Sequence, residues 1–181
     1  MKLSPFQQGG LDSLCGLYAV VNAVRLSVQP VRLSSESCCE LFEVLTGALD
    51  AQKKLHKMLI EGLVYPALSH LLHTADLWLK DKFDTSLHYR RPYHTRWPTK
   101  SGAINLLAEH LANPRTAAIV GLNHPEGGHW SVASAVTRGG SIVLFDSNKR
   151  RLVRGQSQNR SSVRNATELY PRQVFLIWAS D

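Results

Sequence analysis

The sequence predicts an α+β fold. From Leu14 to Leu111 the apolar residues recur at helical spacing; from Thr116 onward they come as short continuous runs separated by turn residues. Helices first and strands afterwards is the order of an α+β chain, not of alternating βαβ units. Arg138-Gly139-Gly140, between two of the apolar runs, supplies hairpin turn chemistry, so the sheet is expected to be antiparallel.

The first helix is expected from about Leu14 to Leu26, capped by Ser13 or Asp12, whose side-chain oxygens accept from first-turn N–H groups. Its small and branched residues (Ala19, Val20, Ala23, Val24) suit burial against other elements. Pro30 breaks the pattern within Val28–Ser34. Ser34 or Ser35 starts a second helix from about Glu36 to Ala48, expected to end near Gly47; Glu36 and Glu40 favour its first turns through the helix dipole. Ala51 to Ile60 continues helical after a short break. Val64 to Leu79 carries Leu68, Leu71, Leu72 and Ala75 at helical spacing. Phe83 to Pro98, with Tyr89, Arg90, Arg91, Pro92, Tyr93 and Trp97, reads as a loop holding one short strand. Ser101 to Leu111 is an amphipathic helix with Ile104, Leu107, Ala108 and Leu111 on one side. Strands are expected at Thr116–Leu122, His129–Thr137, Ser141–Asp146 and Gln173–Trp178. Between Lys149 and Thr167 the chain is polar and reads as a long surface loop.

A length of 181 residues fits one domain, 1–181, able to bury a core, and 44% hydrophobic with 19% charged residues excludes a disordered chain. No run approaches the ~18 consecutive apolar residues that span a bilayer, so no membrane partner is expected. Met1 to Phe6 lacks the apolar stretch and small-residue cleavage site of a signal peptide. Cys15, Cys38 and Cys39 make a poor disulfide framework, which fits a reducing compartment; the expected location is cytoplasmic. The net charge of +7 favours an acidic partner surface; nucleic acid is the weaker expectation. Lys149, Arg150, Arg151 and Arg154 cluster just after Asp146, as a solvated loop or as a rim that meets such a partner. His70 and His73 lie one helical turn apart without a second set of ligands, so no metal or other cofactor is expected. Asn165-Ala166-Thr167 matches a glycosylation sequon, which has no meaning without secretion.

The chemistry-bearing residues lie at the two ends of the chain. Cys15 falls in the first turn of the first helix, where the dipole stabilises negative charge, and the thiolate is the reactive form of a cysteine. Gly16 keeps the adjacent backbone uncluttered for an approaching carbonyl. The Cys15 N–H and the Gln8 carboxamide, seven positions upstream, together suit a developing oxyanion, with Gln7 as competitor. His129 opens a strand after Gly127-Gly128, where an imidazole can take a thiol proton and return it to a leaving amine. Asp146 ends the following strand, and the intervening turn returns it beside His129, where a carboxylate fixes tautomer and ring orientation. Asn148, two residues on, is the alternative orienter.

Gln…Cys-Gly at an early helix, then His, then Asp or Asn on successive strands, resembles the papain-like cysteine peptidase superfamily. Leu14-Cys15-Gly16-Leu17-Tyr18-Ala19 is similar to its bacteriocin-processing peptidase domains. The resemblance implies a papain-like fold, the nucleophile helix packed on the C-terminal antiparallel sheet. It also implies Cys15 as nucleophile, His129 as base, Asp146 as orienter and Gln8 as oxyanion donor. The Gln8-to-Cys15 gap is one residue longer than the usual family spacing. His129-Trp130-Ser131-Val132 followed by Asp146-Ser147 also resembles the His-Trp-Ser…Asp-Ser segment of the SUMO-protease (Ulp1-like) family, in which glutamine and cysteine follow the histidine. That resemblance implies a ubiquitin-like protein with a Gly-Gly tail as substrate, threaded past Gly128 and Trp130; the tryptophan reads equally as core. The expected activity is peptide or isopeptide cleavage of a protein or peptide substrate. A general peptidase or amidase, an acyl transferase with the same triad, and a non-catalytic basic binding module are the alternatives.

Overall fold

The computed structural model describes residues 3–9, 13–93, 95, 98–124, 127–153 and 167–181. The expected cap Asp12, Trp97, Arg154 and the Asn165–Thr167 sequon's first two residues lie outside them. The architecture is α+β, as the order of periodicities predicts. Among the described residues, five helices, α1 (Cys15–Ser27), α2 (Ser35–Ala51), α3 (Leu55–Glu61), α4 (Tyr65–Phe83) and α5 (Lys100–Leu111), accompany six strands. These are β1 (Ser86–Arg90), β2 (Thr116–His124), β3 (Gly127–Val136), β4 (Ile142–Leu144), β5 (Leu152–Val153) and β6 (Glu168–Ser180). They form one sheet in the order β1-β6-β2-β3-β4-β5, and every pairing is antiparallel.

Side-chain alternation along the strands builds two cores, one on each face of the sheet. Ala117 and Ile119 of β2 and Phe175 and Ile177 of β6 face the cluster made with α1 to α4; Ala118, Val120, Val174 and Leu176 face the cluster made with α5. The helix α1 lies in the larger core, with Leu17, Val20, Ala23 and Val24 fully buried. Burial at this level, rather than intrinsic propensity, fixes a helix so rich in branched residues. Its first residue therefore meets the sheet at a set position.

Several boundaries differ from the sequence expectation. The helix α2 does not end near Gly47 but runs to Ala51. A Cβ at Gly47 would meet nothing within 4 Å, while Leu45 and Leu49 on either side are fully buried and carry the helix onward. The helix α4 continues to Phe83 and closes on Asp84 in the left-handed conformation. The strand β4 stops at Leu144, so Asp146 lies in the turn beyond it. Leu152 and Val153, inside the expected polar loop, pair with β4 as a short edge strand, held by the buried Val153. Among the described residues no helix is long and apolar enough to cross a membrane.

Candidate active site

Cys15 is the first residue of α1, 8% exposed. Leu14 is the N-cap, with no side-chain cap bond. Ser13, expected as the cap, is engaged elsewhere: its N–H donates to the Leu59 carbonyl at 3.0 Å and its hydroxyl to the Ile60 carbonyl at 3.1 Å. This ties the start of α1 to α3. The positive end of the helix dipole lies beside the sulfur. Gly16 is required by contact: a Cβ there would lie 3.0 Å from Leu63 Cβ and 3.2 Å from Trp130 Cδ1.

His129 is the third residue of β3, which opens at Gly127 with φ of +125°, a conformation glycine adopts freely. Its side chain is 6% exposed, and the Asp146 side chain is fully buried. His129 Nε2 donates to Asp146 Oδ1 at 2.7 Å. Cys15 shares a cleft wall with the same ring and is among the groups that raise its pKa, and Nδ1 is the nitrogen not taken by the carboxylate. The Trp130 backbone N–H donates to Cys15 Sγ at 3.4 Å, across 115 residues of sequence. The two ends of the chain thus meet at the sulfur.

Of Asp146 and Asn148, Asp146 is the one whose side chain meets the imidazole. The Asn148 side chain is exposed, and the residue contributes its backbone N–H to Asp146 Oδ2 at 2.9 Å; the Arg150 N–H adds a second bond at 3.1 Å. Both carboxylate oxygens are thereby occupied, and Oδ1 is aimed at the imidazole. Burial alone would push the Asp146 pKa up; the His129 bond and charge, the buried Ser131 hydroxyl and the Arg150 amide outweigh it and hold the carboxyl below its ordinary value. Burial likewise pushes His129 down, but the Asp146 bond, the Cys15 bond and the charges of both raise it to about 9. At neutral pH a ring raised to about 9 is an imidazolium.

Residues 3–9 form a strap across α1 that carries the two glutamines. The Gln8 N–H donates to the Ser147 carbonyl at 3.1 Å. Gln7 Nε2 donates to the Pro5 and Asp146 carbonyls at 3.2 and 3.4 Å, and Gln7 lines an apolar hollow with Tyr18, Cys38 and Phe42, away from the sulfur. Gln8 lines a cleft of about 220 Å³ with Cys15 and His129.

That cleft, with Asn148 and Arg150 on its wall, is the polar flank of Cys15. A second cleft, of about 340 Å³, lies on the other flank, among Leu63, Val64, Tyr65, Trp130, Tyr170 and Gln173. Glu61, Gly62 and Gly128 border both, so the two clefts adjoin beside Cys15. Gly62, with φ of +78°, ends α3 at this point. The Trp130 ring is 7% exposed; its indole N–H donates to the Leu63 carbonyl at 2.8 Å, and Tyr65 and Phe175 meet it edge-on at 5.6 and 6.1 Å. It is a core residue with one edge on the second cleft.

The basic cluster divides. Lys149 is exposed and turns the chain with φ of +61°; Arg151 is exposed; Arg150 faces the polar cleft, and its Nη1 donates to Thr167 Oγ1 at 3.4 Å. All three cysteines are free, Cys38 buried and Cys39 exposed; burial raises the Cys38 pKa. His70 and His73 lie on α4, and among the described residues no group of three or more His, Cys, Asp or Glu is placed to hold a metal. Sequence reasoning missed Gly62 and Asn22: the first reads as an ordinary helix stop, and the second has no local signal inside an apolar helix.

No family model and no curated protein matches the chain in sequence. Among solved structures it is similar to the Pseudomonas avirulence protein AvrPphB, at 11% identity and a TM-score of 0.42, over 98% of this chain and 96% of that chain.

Proposed function

We propose that the protein is a papain-like thiol hydrolase, one catalytic domain that cleaves peptide or isopeptide bonds through an acyl-enzyme on Cys15. The observation that carries this reading is the junction at His129: Asp146 on Nε2 at 2.7 Å, with a helix-first cysteine on the wall of the same clefts. A buried structural cysteine has no use for an imidazole held charged by a buried carboxylate.

In this reading the Cys15 sulfur attacks the substrate carbonyl carbon. The oxyanion that forms is met by the Cys15 N–H and the Gln8 carboxamide, both on the wall of the polar cleft. The His129 imidazolium gives its proton to the leaving amine as the C–N bond breaks, leaving the acyl group on sulfur. Neutral His129 then takes a proton from water, the hydroxyl adds to the thioester carbonyl, and the acid leaves as the proton returns to the Cys15–His129 pair. Asp146 keeps its charge and holds the ring throughout.

The narrower reading is release or processing of a ubiquitin-like modifier. Its support is the pair of glycines, Gly62 and Gly128, on the wall shared by the two clefts beside Cys15, where small residues leave room for a substrate backbone. A panel of ubiquitin-like proteins bearing C-terminal electrophiles, run beside short peptide amides, tests both levels. Turnover or an adduct that disappears in Cys15→Ala supports the hydrolase. Adducts confined to the tail probes support the narrower substrate. Turnover that survives Cys15→Ala contradicts the reading altogether.

A further inference from the structure

Asn22 is a polar residue 1% exposed inside α1, where neither burial nor helix propensity favours an asparagine. Its side chain serves none of the helix's own backbone. It forms a reciprocal amide pair with one residue of the strap: the Phe6 N–H donates to Asn22 Oδ1 at 2.8 Å, and Asn22 Nδ2 donates to the Phe6 carbonyl at 3.2 Å. Such a pair copies one rung of a strand ladder, so it fixes the strap in height and in rotation. Arg25, on the same helix, adds a bond from Nη1 to the Ser4 carbonyl at 2.6 Å and lies 4.5 Å from the Phe6 ring centre.

Two residues beyond Phe6, the strap reaches the cleft. The Gln8 N–H is fastened to Ser147 and the Gln7 side chain to the Asp146 carbonyl. Cys15 lies on the same helix as Asn22, two turns earlier and about 10 Å along its axis. The strap is therefore attached at one end to the helix that carries the nucleophile and at the other to the turn that carries the acid. We propose that Asn22 is a positioning residue for the hydrolysis: it sets the Gln8 carboxamide against the Cys15 sulfur through the Phe6 amide pair. The inference rests on the reading of Gln8 as oxyanion donor.

The test separates reactions of Cys15 that pass through an oxyanion from those that do not. Acylation by 4-nitrophenyl acetate forms a tetrahedral oxyanion; alkylation by iodoacetamide does not. Removing an oxyanion donor costs about a hundredfold or more, and displacing one costs part of that, so Asn22→Ala is expected to slow acylation by about tenfold while alkylation stays within about twofold. Asn22→Asp keeps the acceptor for the Phe6 N–H and loses the donor, so a smaller loss of the same selective kind is expected; it decides the matter if the alanine variant does not fold. Adding Asn22→Ala or Asn22→Asp to Gln8→Ala should slow acylation no further than Gln8→Ala does. A parallel fall of both rates, or losses that multiply with Gln8→Ala, would overturn the positioning role and leave the hydrolase reading standing. Unchanged acylation in Gln8→Ala overturns the donor role and this inference with it. Acylation that persists in Cys15→Ala refutes the hydrolase reading itself.

Discussion

The carboxylate of Asp146 decides what His129 is at neutral pH. Burial works against a charged imidazole, and the 2.7 Å bond to Oδ1 is the first of the contacts that reverse it, raising the ring to about 9. A raised histidine keeps its proton as pH rises to about 9 and loses it above; in the proposed mechanism that is the proton given to the leaving amine. Turnover should therefore fall on an alkaline limb near pH 9. Asp146→Asn removes the carboxylate charge, so the limb should move to lower pH and the neutral rate should drop by at least about tenfold. A pH–rate profile of the two proteins checks it; an unmoved limb would show that Asp146 does not govern the ring. This part of the site was legible in the sequence because each residue announces its chemistry: a cysteine at a helix start, a histidine after two glycines, an aspartate after an apolar run. The pair Gln7 and Gln8 was not decidable there. Adjacent, identical side chains are separated only by the path of the strap, and that path is set by Asn22 and Ser147, both remote in sequence.

Among the elements, the pairing of two neighbouring strands shapes the second cleft. The pairing of β2 with β6 shifts register between Val120 and Leu122. At that irregularity the Gln173 side chain folds flat over Gly121: a Cβ on Gly121 would lie 1.8 Å from Gln173 Oε1 and 2.5 Å from Gln173 Cβ. Gln173 is thereby directed to the second cleft, where its hydrogen bond favours the ionised form of Tyr65, although burial leaves that hydroxyl's pKa raised. Gly121→Ala should cost about 1–3 kcal/mol of stability, because the contact is with a Cβ that cannot swing aside. Denaturant unfolding of the folded variant measures it; a loss under about 0.5 kcal/mol would show that Gln173 is free to move. None of this was visible in the sequence, where Gly121 is one small residue in a buried run. Element existence was legible and element ends were not, for a common reason. Gly47 and Leu144 mark changes of local pattern, but burial of Leu49 extends one helix past its glycine, and the bonds from Asn148 and Arg150 turn the other segment out of the ladder before Asp146.

At the scale of the whole molecule, the site is a meeting of two ends. The strap and α1 come from the first residues, His129 and Asp146 from the sheet, and the contact from the Trp130 N–H to Cys15 spans 115 positions. What brings them together is the larger core, since Leu17 and Val20 of α1 pack on the same cluster as Val132 of β3. The α+β class could be read from the switch in periodicity; the division into two cores could not, because it depends on which strands neighbour one another. If the proposed site is right, folding creates the reactivity of Cys15 rather than hiding it. At 8% exposure, an inert cysteine would react more slowly in the native protein than in the unfolded chain. The second-order rate of Cys15 alkylation at pH 6, in the native protein, in denaturant and in native His129→Ala, tells the two apart. The native rate is expected to be at least about tenfold above the denatured one and to lose that advantage in His129→Ala. A native rate equal to or below that of the unfolded chain would contradict the proposed site.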